Sequence, residues 1–484
     1  MVESNFNPAY ELELSASNLN GSPLSVYCMV KYANDEVIGR TETISNNQNP
    51  RWENFVRFQH DFDVSLKISF LVIDENTQQE IGKAISTLWL IAKFPILTCR
   101  LGDNESKIHI KLRETNQEPK KFAFGISGQD LEEMDFGGGS DPYIIIKFRD
   151  VPDHEVYRTE IIKKNINPSW RLFMLTNKQL RFNNPSEFLT IECWDYDFGR
   201  RDDFIGSADV TIEQILSPRY YFDISSENNP KAGIIKIECM PMLSTLSYLR
   251  NGLQFNFTFA IDFSSRTENL HDINTPFSYI SALGKLSSAF EPFENDNIFF
   301  LYGFGVKHEN QDITKHCFAL NGNDNSAHTL GSRGLIVDYV NSKISRKSSK
   351  EACLHEVIEK TMRNSNCGNG ELKYNILIIL TNGEIQNINL TKNAIVDATM
   401  LPMSIVIFGM GNSRFSDMKN LTEWQNLKSS DDSTKYALRN IVQFFSYNNE
   451  SSNLEYSTNA MMNRIFQEFE EYKALEWHKS NKVI

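Results

Sequence analysis

No stretch of this sequence is long and apolar enough to cross a bilayer. The longest apolar runs, such as residues 376–380, fall far short of the about 20 residues a spanning helix needs. The opening Met1-Val2-Glu3-Ser4 has no basic segment leading into an apolar one and no glycine at position 2, and Lys482-Val483-Ile484 is no prenylation box. The expectation is a cytosolic chain whose contacts with the plasma membrane or other intracellular membranes are peripheral and reversible. Cysteine is sparse: seven residues, an odd number with no CxxC pair, argue against a disulfide framework, a zinc ribbon or a RING. A surplus of positive charge is also missing. With 49 Lys and Arg against 62 Asp and Glu, the formal net charge of −13 disfavours nucleic acid and equally disfavours spontaneous adhesion to anionic lipid. Catalytic signatures are absent too. His355-Glu356 opens like a zincin helix, but Glu359 stands where the second His belongs, and Gly409-Met410-Gly411 lacks the third glycine and the lysine of a phosphate loop. No Gly-x-Ser-x-Gly elbow or caspase-like cysteine occurs, so no enzymatic activity is expected.

What is present is an ordinary globular composition, 40% hydrophobic and 23% charged, in a chain of 484 residues that is too long for one core. The first half holds a diverged repeat. Arg40-Thr41-Glu42 precedes Asn49-Pro50-Arg51-Trp52, and Arg158-Thr159-Glu160 precedes Asn167-Pro168-Ser169-Trp170 at the same spacing. Ile73-Asp74 before Ile81-Gly82 is echoed by Cys193-Trp194-Asp195 before Ile205-Gly206. Short alternating segments separated by Asn, Gly, Pro and Asp clusters predict two all-β sandwiches of roughly 115 residues each. From Leu253 onward, near-continuous apolar strands at 255–261, 298–302, 374–380 and 404–408 alternate with helical stretches at 277–290, 352–362 and 391–398. That pattern predicts a doubly wound α/β domain with a mainly parallel sheet. Residues 453–479 read as one amphipathic helix, either packed on the domain or forming a partner contact. The expected organisation is therefore 1–115, 119–240, 250–450 and a tail over 451–484.

The second repeat carries two acidic loops, one with Asp135 and Asp141, the other with Asp195, Asp197 and Asp203. Five carboxylates at one end of a sandwich repel one another unless a cation is shared. Ca²⁺, which takes six to eight oxygens in loose geometry, suits loop-borne ligands better than Mg²⁺. Asp195 and Asp197 alternate onto the same side of an extended segment, and Pro142 holds Asp141 extended. This segment resembles the C2 module of calcium-dependent membrane-binding proteins, in which these five positions carry the calcium ligands. The resemblance implies that bound Ca²⁺ meets lipid phosphate, with Met134, Phe136 and Phe198 at the loop tips reaching the headgroups and Arg200 and Arg201 meeting anionic lipid. Lys147, Arg149, Lys163 and Lys164 form either a secondary basic patch or a solvated strand face.

The first repeat departs from that pattern. It has Ser22-Pro23 where Asp-Pro is expected, and after Asp74 it offers Asn76 and then Gln79 or Glu80, so it reads as a calcium-independent sandwich. Asp262-Phe263-Ser264-Ser265-Arg266 closes the first α/β strand and resembles the opening of a von Willebrand factor A domain. The adhesion-type metal site of such domains is degraded here. Asp262 and Ser264 match, Ser348 stands for the distant hydroxyl, Arg266 replaces the second hydroxyl and Asn382 replaces the second carboxylate, and these last two changes oppose Mg²⁺. The segments 401–411 and 441–445 are similar to the copine version of this domain, and two C2 modules followed by it match the copine family over nearly the whole chain. The resemblance implies calcium-dependent phospholipid binding, with the C-terminal domain recruiting protein partners. The alternative is a calcium-independent protein-interaction scaffold.

Overall fold

The computed structural model of the chain describes residues 10–20, 25–60, 62–102, 105–115, 121–134, 139–264, 269–272, 275, 278–307, 314–343, 348–365, 372–383, 385–432, 434–450 and 454–482. The first sandwich contains β1 (Tyr10–Ser17), β2 (Ser25–Tyr32), β3 (Val37–Arg40), β4 (Ile44–Ser45), β5 (Val56–Phe58), β6 (Lys67–Asp74) and β7 (Glu80–Thr87). After helix α1 (Leu88–Lys93) it closes with β8 (Leu97–Arg100) and β9 (Lys107–Glu114). One sheet runs β5-β1-β9-β8 and the other β3-β2-β6-β7 with β4 beside β2. Strict alternation does the folding work. Tyr10, Leu12, Leu14 and Ala16 of β1 are buried while the residues between them face outward.

The second sandwich repeats this plan with β10 (Lys121–Gln129), β11 (Pro142–Phe148), β12 (Val151–Arg158), β13 (Phe173–Thr176), β14 (Phe188–Asp195) and β15 (Asp203–Thr211). A short helix α2 (Ile212–Ile215) leads to β16 (Arg219–Ile224) and β17 (Gly233–Pro241). Its sheets run β13-β10-β17-β16 and β12-β11-β14-β15.

The repeated sequence signature turns out to be a set of bonds to backbone. The hydroxyl of Thr41 accepts the N–H of Cys28 at 2.9 Å, and that of Thr159 accepts the N–H of Ile144 at 2.9 Å. The indole N–H of Trp52 donates to the carbonyl of Val26 at 3.3 Å, and that of Trp170 to Pro142 at 3.2 Å. Glu42 accepts the N–H groups of Glu53 and Asn54, and Glu160 accepts that of Arg171. Each module thus uses Thr, Glu and Trp to satisfy main-chain groups that the sheet ladders leave over. Gly82 and Gly206 have a steric reason. A Cβ at Gly82 would stand 2.7 Å from the side chain of Leu101, and one at Gly206 would stand 3.1 Å from the backbone of Ser225.

Helix α3 (Thr245–Arg250) precedes the α/β domain. Its strands are β18 (Gln254–Asp262), β19 (Ile298–Phe304), β20 (Val306–Lys307), β21 (Thr314–Lys315), β22 (Phe318–Ala319), β23 (His328–Leu330), β24 (Lys373–Thr381), β25 (Met403–Gly409) and β26 (Val442–Ser446). Its helices are α4 (Tyr279–Phe290), α5 (Gly331–Lys343), α6 (His355–Asn364), α7 (Ile388–Ala398), α8 (Ser416–Asn420), α9 (Tyr447–Glu450) and α10 (Leu454–Lys482). Among the described residues the sheet order is β22-β19-β18-β24-β25-β26, with β23 beside β19. Its central pairings are parallel, and β22 and β23 are antiparallel additions at one side. The two sandwiches and the mainly parallel α/β sheet are the architecture expected from the residue pattern. The second expected helix starts later than its apolar period suggests, because the N–H of Cys353 is bonded to Nδ1 of His316 and Leu354 caps the first turn.

The chain divides into two compact units, Met1–Gln117 with Thr245–Phe469, and Glu118–Ser244 with Glu470–Ile484. In the first unit Trp89 of α1 is buried against Phe293, Phe466 and Phe255, and its indole N–H donates to the carbonyl of Pro292 at 3.0 Å. Lys93 donates to the carbonyls of Pro292 and Glu294 at 2.9 and 2.6 Å. The N-terminal part of α10 buries Met461, Ile465, Phe466 and Phe469 in this unit, as its apolar stripe predicts. In the second unit Glu470 pairs with Lys121 at 2.6 Å and Ala474 packs on Ala123 and Met242.

Replacing Thr159 by Val keeps its shape and strands the N–H of Ile144. Urea unfolding of the second module is expected to shift by about 1–3 kcal/mol towards the unfolded state. An unchanged midpoint would show that the hydroxyl is dispensable.

Candidate functional site

The ends of three strands meet at one tip of the second sandwich. In register, Pro142 pairs with Asp195, and Asp195 pairs with Asp203. Asp195 is only 1% exposed, and its carboxylate accepts the N–H of Asp141 at 2.5 Å. The carbonyl of Asp141 in turn accepts the N–H of Tyr196 at 3.1 Å, and its carboxylate accepts the N–H of Lys164 at 2.8 Å. Asp195 and Asp203 therefore share one row with Pro142, Asp141 adjoins that row through its bond to Asp195, and Asp197 lies in the loop that leaves it. Asp195 and Asp203 stand directly opposite each other, a placement in which like charges repel.

Several further residues frame the tip, of which Ser140 and Asp202 were not singled out in the sequence. Ser140 is fully buried. Its hydroxyl accepts the N–H of Met134 at 2.9 Å and donates to the carbonyl of Glu132 at 3.0 Å, tying together the two ends of the first acidic loop. Gly139 has a left-handed φ of 100°, and a Cβ there would stand 3.2 Å from Cα of Lys164. Asp202 accepts the N–H of Asp197 at 3.1 Å and the phenol of Tyr143 at 2.6 Å. Burial, reinforced by that bond, pushes the Tyr143 phenol up to about 12. Only strand parity separates Asp202 from Asp203, and parity is invisible until the start of β15 is known.

Among the described residues no three His, Cys, Asp or Glu side chains converge closely enough to hold a metal ion as they stand. Asp135 and Phe136 lie outside the described residues. The donor set is all oxygen, which suits a hard cation, and a shared cation would relieve the facing Asp195 and Asp203. Phe198 is 92% exposed, and Arg200 and Arg201 beside it are exposed. Met134 differs from Phe198. It packs in part against the sandwich core, so it does not project as a loop-tip residue. On the flank, Lys147 pairs with Glu192 at 2.9 Å. Arg149 pairs with Asp209 at 3.5 Å and covers the Phe188 ring. These two cations are compensated within their own sheet, while Lys163 and Lys164 are exposed.

The first module corrects one sequence alignment. Trp52 bonds to Val26 as Trp170 bonds to Pro142, so Ser25, not Ser22, stands at the position of Asp141. The N–H of Ser25 donates to Asp74 at 3.4 Å, as that of Asp141 does to Asp195. Ser22 and Pro23 lie outside the described residues. Register also chooses between Gln79 and Glu80. Glu80 pairs with Ile73 as Phe204 pairs with Trp194, which leaves Gln79 at the position equivalent to Asp203. At the matching positions this tip thus keeps one carboxylate, Asp74. The Thr77 hydroxyl at 2.8 Å holds it below the usual carboxylate range, helped by the N–H groups of Asn76 and Ser25.

In the α/β domain Asp262 is fully buried at the end of β18. Its carboxylate accepts the Thr381 hydroxyl at 2.8 Å and the N–H of Ser264 at 2.9 Å. Burial raises its pKa above the usual value, against these bonds and that of the Asn382 N–H. Ser348 forms a bridge with Val306, and Arg266 lies outside the described residues. Asp262, Ser264, Thr381 and Asn382 come together, but as an enclosed bolt between β18 and β24.

Because the folded Asp74 titrates below its ordinary value of 3.8, it favours the folded state above that pH and ceases to do so as the pH falls through the depressed value. The stability difference between wild type and D74N, followed by urea unfolding, is expected to be full near neutrality and to shrink below about pH 4. A difference that stays constant into acid would contradict this.

Comparison with known proteins agrees with this architecture. The sequence matches the C2 domain family over residues 11–90 and 124–225, and the Copine family over residues 269–480. It is 28% identical over 457 residues to Copine-B of Dictyostelium discoideum, covering 86% of this chain and 85% of that protein. It is 26% identical over 467 residues to Nicotinic receptor-associated protein 1 of Caenorhabditis elegans, covering 84% of this chain and 73% of that one. A solved structure of the two tandem C2 domains of extended synaptotagmin 2 aligns with a TM-score of 0.22 at 14% identity, covering 48% of this chain and 90% of that chain. Along one chain the sequence thus matches two C2 domains followed by a copine domain, and it is similar to copines over most of its length.

Proposed function

We propose that this protein is a calcium-triggered adaptor. It moves reversibly from cytosol to membrane, binds phospholipid through the tip of its second C2 domain, and recruits protein partners through the copine domain. The observation that carries this reading is the facing pair Asp195 and Asp203, with Asp141 bonded to Asp195 and Asp197 in the adjoining loop, beside the exposed Phe198. Together with Asp135, these residues would hold Ca²⁺, which supplies charge neutralisation and open coordination sites for lipid phosphate. Asp141 and Asp195 are already oriented by main-chain bonds, so little ordering remains to be done when the cation arrives. Phe198, Arg200 and Arg201 then meet the interface, the ring entering the headgroup region and the guanidinium groups facing anionic lipid. Contact of this kind is peripheral, and no described helix is long and apolar enough to cross a membrane. Recruitment through the copine domain is consistent with the receptor association in the name of the worm relative. The reading includes no catalytic step.

The first C2 domain and the copine domain have no part in cation binding in this scheme. Of the positions that match Asp141, Asp195, Asp197 and Asp203, the first domain keeps a carboxylate at Asp74 alone, and Asp262 is enclosed by hydroxyl and amide donors where Mg²⁺ demands an open octahedral set. A calcium-independent interaction role therefore suits these two domains, and it is the second reading for the chain as a whole.

Sedimentation with phosphatidylserine vesicles is expected to rise sharply in calcium over chelator. The variant D195N/D197N should lose that increment while keeping the acceptor oxygen that Asp141 needs; an undiminished calcium increment would overturn the proposal. Millimolar Mg²⁺ is expected to leave the thermal unfolding midpoint of the chain unchanged. An upward shift would mean that the Asp262 site opens to metal.

A further inference from the structure

The outer face of the sheet β5-β1-β9-β8 in the first C2 domain is basic in a chain whose formal net charge is −13. The alternation that buries Leu12, Leu14, Ile108, Ile110 and Leu112 sends Glu11, Glu13, Lys107, Lys111 and Arg113 to the other side. Arg57 of β5 and Arg100 of β8 share that side, since Val56, Phe58 and Cys99 beside them turn to the core. Arg51 joins them through the bridge between Ser15 and Arg51, and its side chain is 79% exposed.

Two carboxylates cannot balance these cations. Glu11 pairs with Arg57 at 2.6 Å. Glu13 alone serves Arg51 at 3.2 Å, Lys111 at 3.5 Å and Arg113. Burial tends to raise the Glu13 carboxyl, but Arg113, Lys111 and Arg51 outweigh it and hold it below the usual range. At the other end, Arg100 pairs in register with Lys107, so two cations face each other across the strands. Like charges placed this way destabilise a sheet unless an anion is shared. The remaining outward groups are small or polar, as with Ser15, Ser17, Thr98 and His109, whose ring bonds to Ser17 and Thr98. Phe55 lies beside this face, but the guanidinium of Arg113 covers its ring at 5.3 Å, so the ring is not an open platform on which a base could stack. The sheet is four strands wide, about 15 Å, and so spreads its charge over a surface, not along a groove. Immediately before β8, Phe94 and Ile96 are exposed apolar residues in the loop that enters this sheet. A broad basic face with an exposed apolar loop at its end has the make-up of a membrane-surface contact.

We propose that this face is a calcium-independent electrostatic docking surface for an anionic phospholipid bilayer. Ionic strength confines the field of distant acidic residues to about 8 Å, so a local face of this sign can attract lipid although the whole chain is acidic. The proposal rests on the membrane reading above for the class of its occupant, but not on the calcium tip. The face acts before calcium arrives, holding the protein weakly near acidic membranes.

The test uses the full chain with phosphatidylcholine vesicles, with and without phosphatidylserine, in chelator and in calcium. Wild type is expected to sediment in chelator with the phosphatidylserine vesicles only, and to be released as salt rises. R100Q/K107Q, which removes the facing cations and leaves the strand pairing intact, should lower that chelator-phase partition about thirty-fold and leave the calcium increment in place. R51Q, at the far end of the face, should lower it about fivefold. D195N/D197N should do the reverse, losing the calcium increment and keeping the chelator-phase binding, so failure of one reading is distinct from failure of the other. No sedimentation of wild type in chelator, or sedimentation untouched by R100Q/K107Q, would overturn the proposal. So would binding to soluble poly-glutamate that depends on Arg100 and Lys107 while the vesicles are ignored, which would mark the face as a site for acidic protein.

Discussion

The pairing of Pro142 with Asp195 and of Asp195 with Asp203 is the constraint on which the candidate site depends. Three strands that meet in that register must bring their terminal residues into one row. The carboxylate of Asp195 then accepts the N–H of Asp141, so an acidic group is spent on holding the next acidic group in place. A buried carboxylate that accepts a main-chain donor serves as a positioning element. The surrounding bonds serve the same arrangement. Ser140 closes one loop, Asp202 and Tyr143 brace the other, and Gly139 lets the chain pass Lys164.

The first C2 domain shows that this scaffold and its chemistry are separable. Its Thr41, Glu42 and Trp52 bonds match those of Thr159, Glu160 and Trp170 partner for partner, because they satisfy main-chain groups that any copy of the fold must satisfy. The carboxylates at three of the matching tip positions have been replaced by Ser25, Asn76 and Gln79. The surviving Asp74 has turned inward to Thr77. Asp262 in the copine domain has followed a similar course, from a strand end where such sheets usually bind ligands to an internal acceptor between two strands.

Charge is distributed along the chain more unevenly than its total suggests. Lys147 and Arg149 on the flank of the second C2 domain are paired with Glu192 and Asp209, whereas the cations on the outer sheet of the first are shared among too few acids. Net charge acts over distances that salt screens, while a membrane or a cation responds to the nearest few groups. The acidic tip and the basic face are for that reason independent features.

By itself the sequence determined the architecture, since two-residue alternation and buried apolar runs leave few other ways to hide so much hydrophobic surface. The repeat of Thr, Glu, Asn-Pro and Trp disclosed two related sandwiches, and the spacing of Asp141, Asp195, Asp197 and Asp203 disclosed the acidic tip. Tertiary structure alone decided which residue of the first domain stands where Asp141 stands in the second, because loops of different length can be aligned only through their hydrogen-bond partners. It decided that Met134 packs inward while Phe198 projects, and that Asp202 braces the loop beside Asp203, since both outcomes depend on where a strand begins. It also gathered Arg57, Arg100, Lys107 and Arg113 onto one face. Those residues lie on three strands far apart in the chain, and only sheet register makes them neighbours.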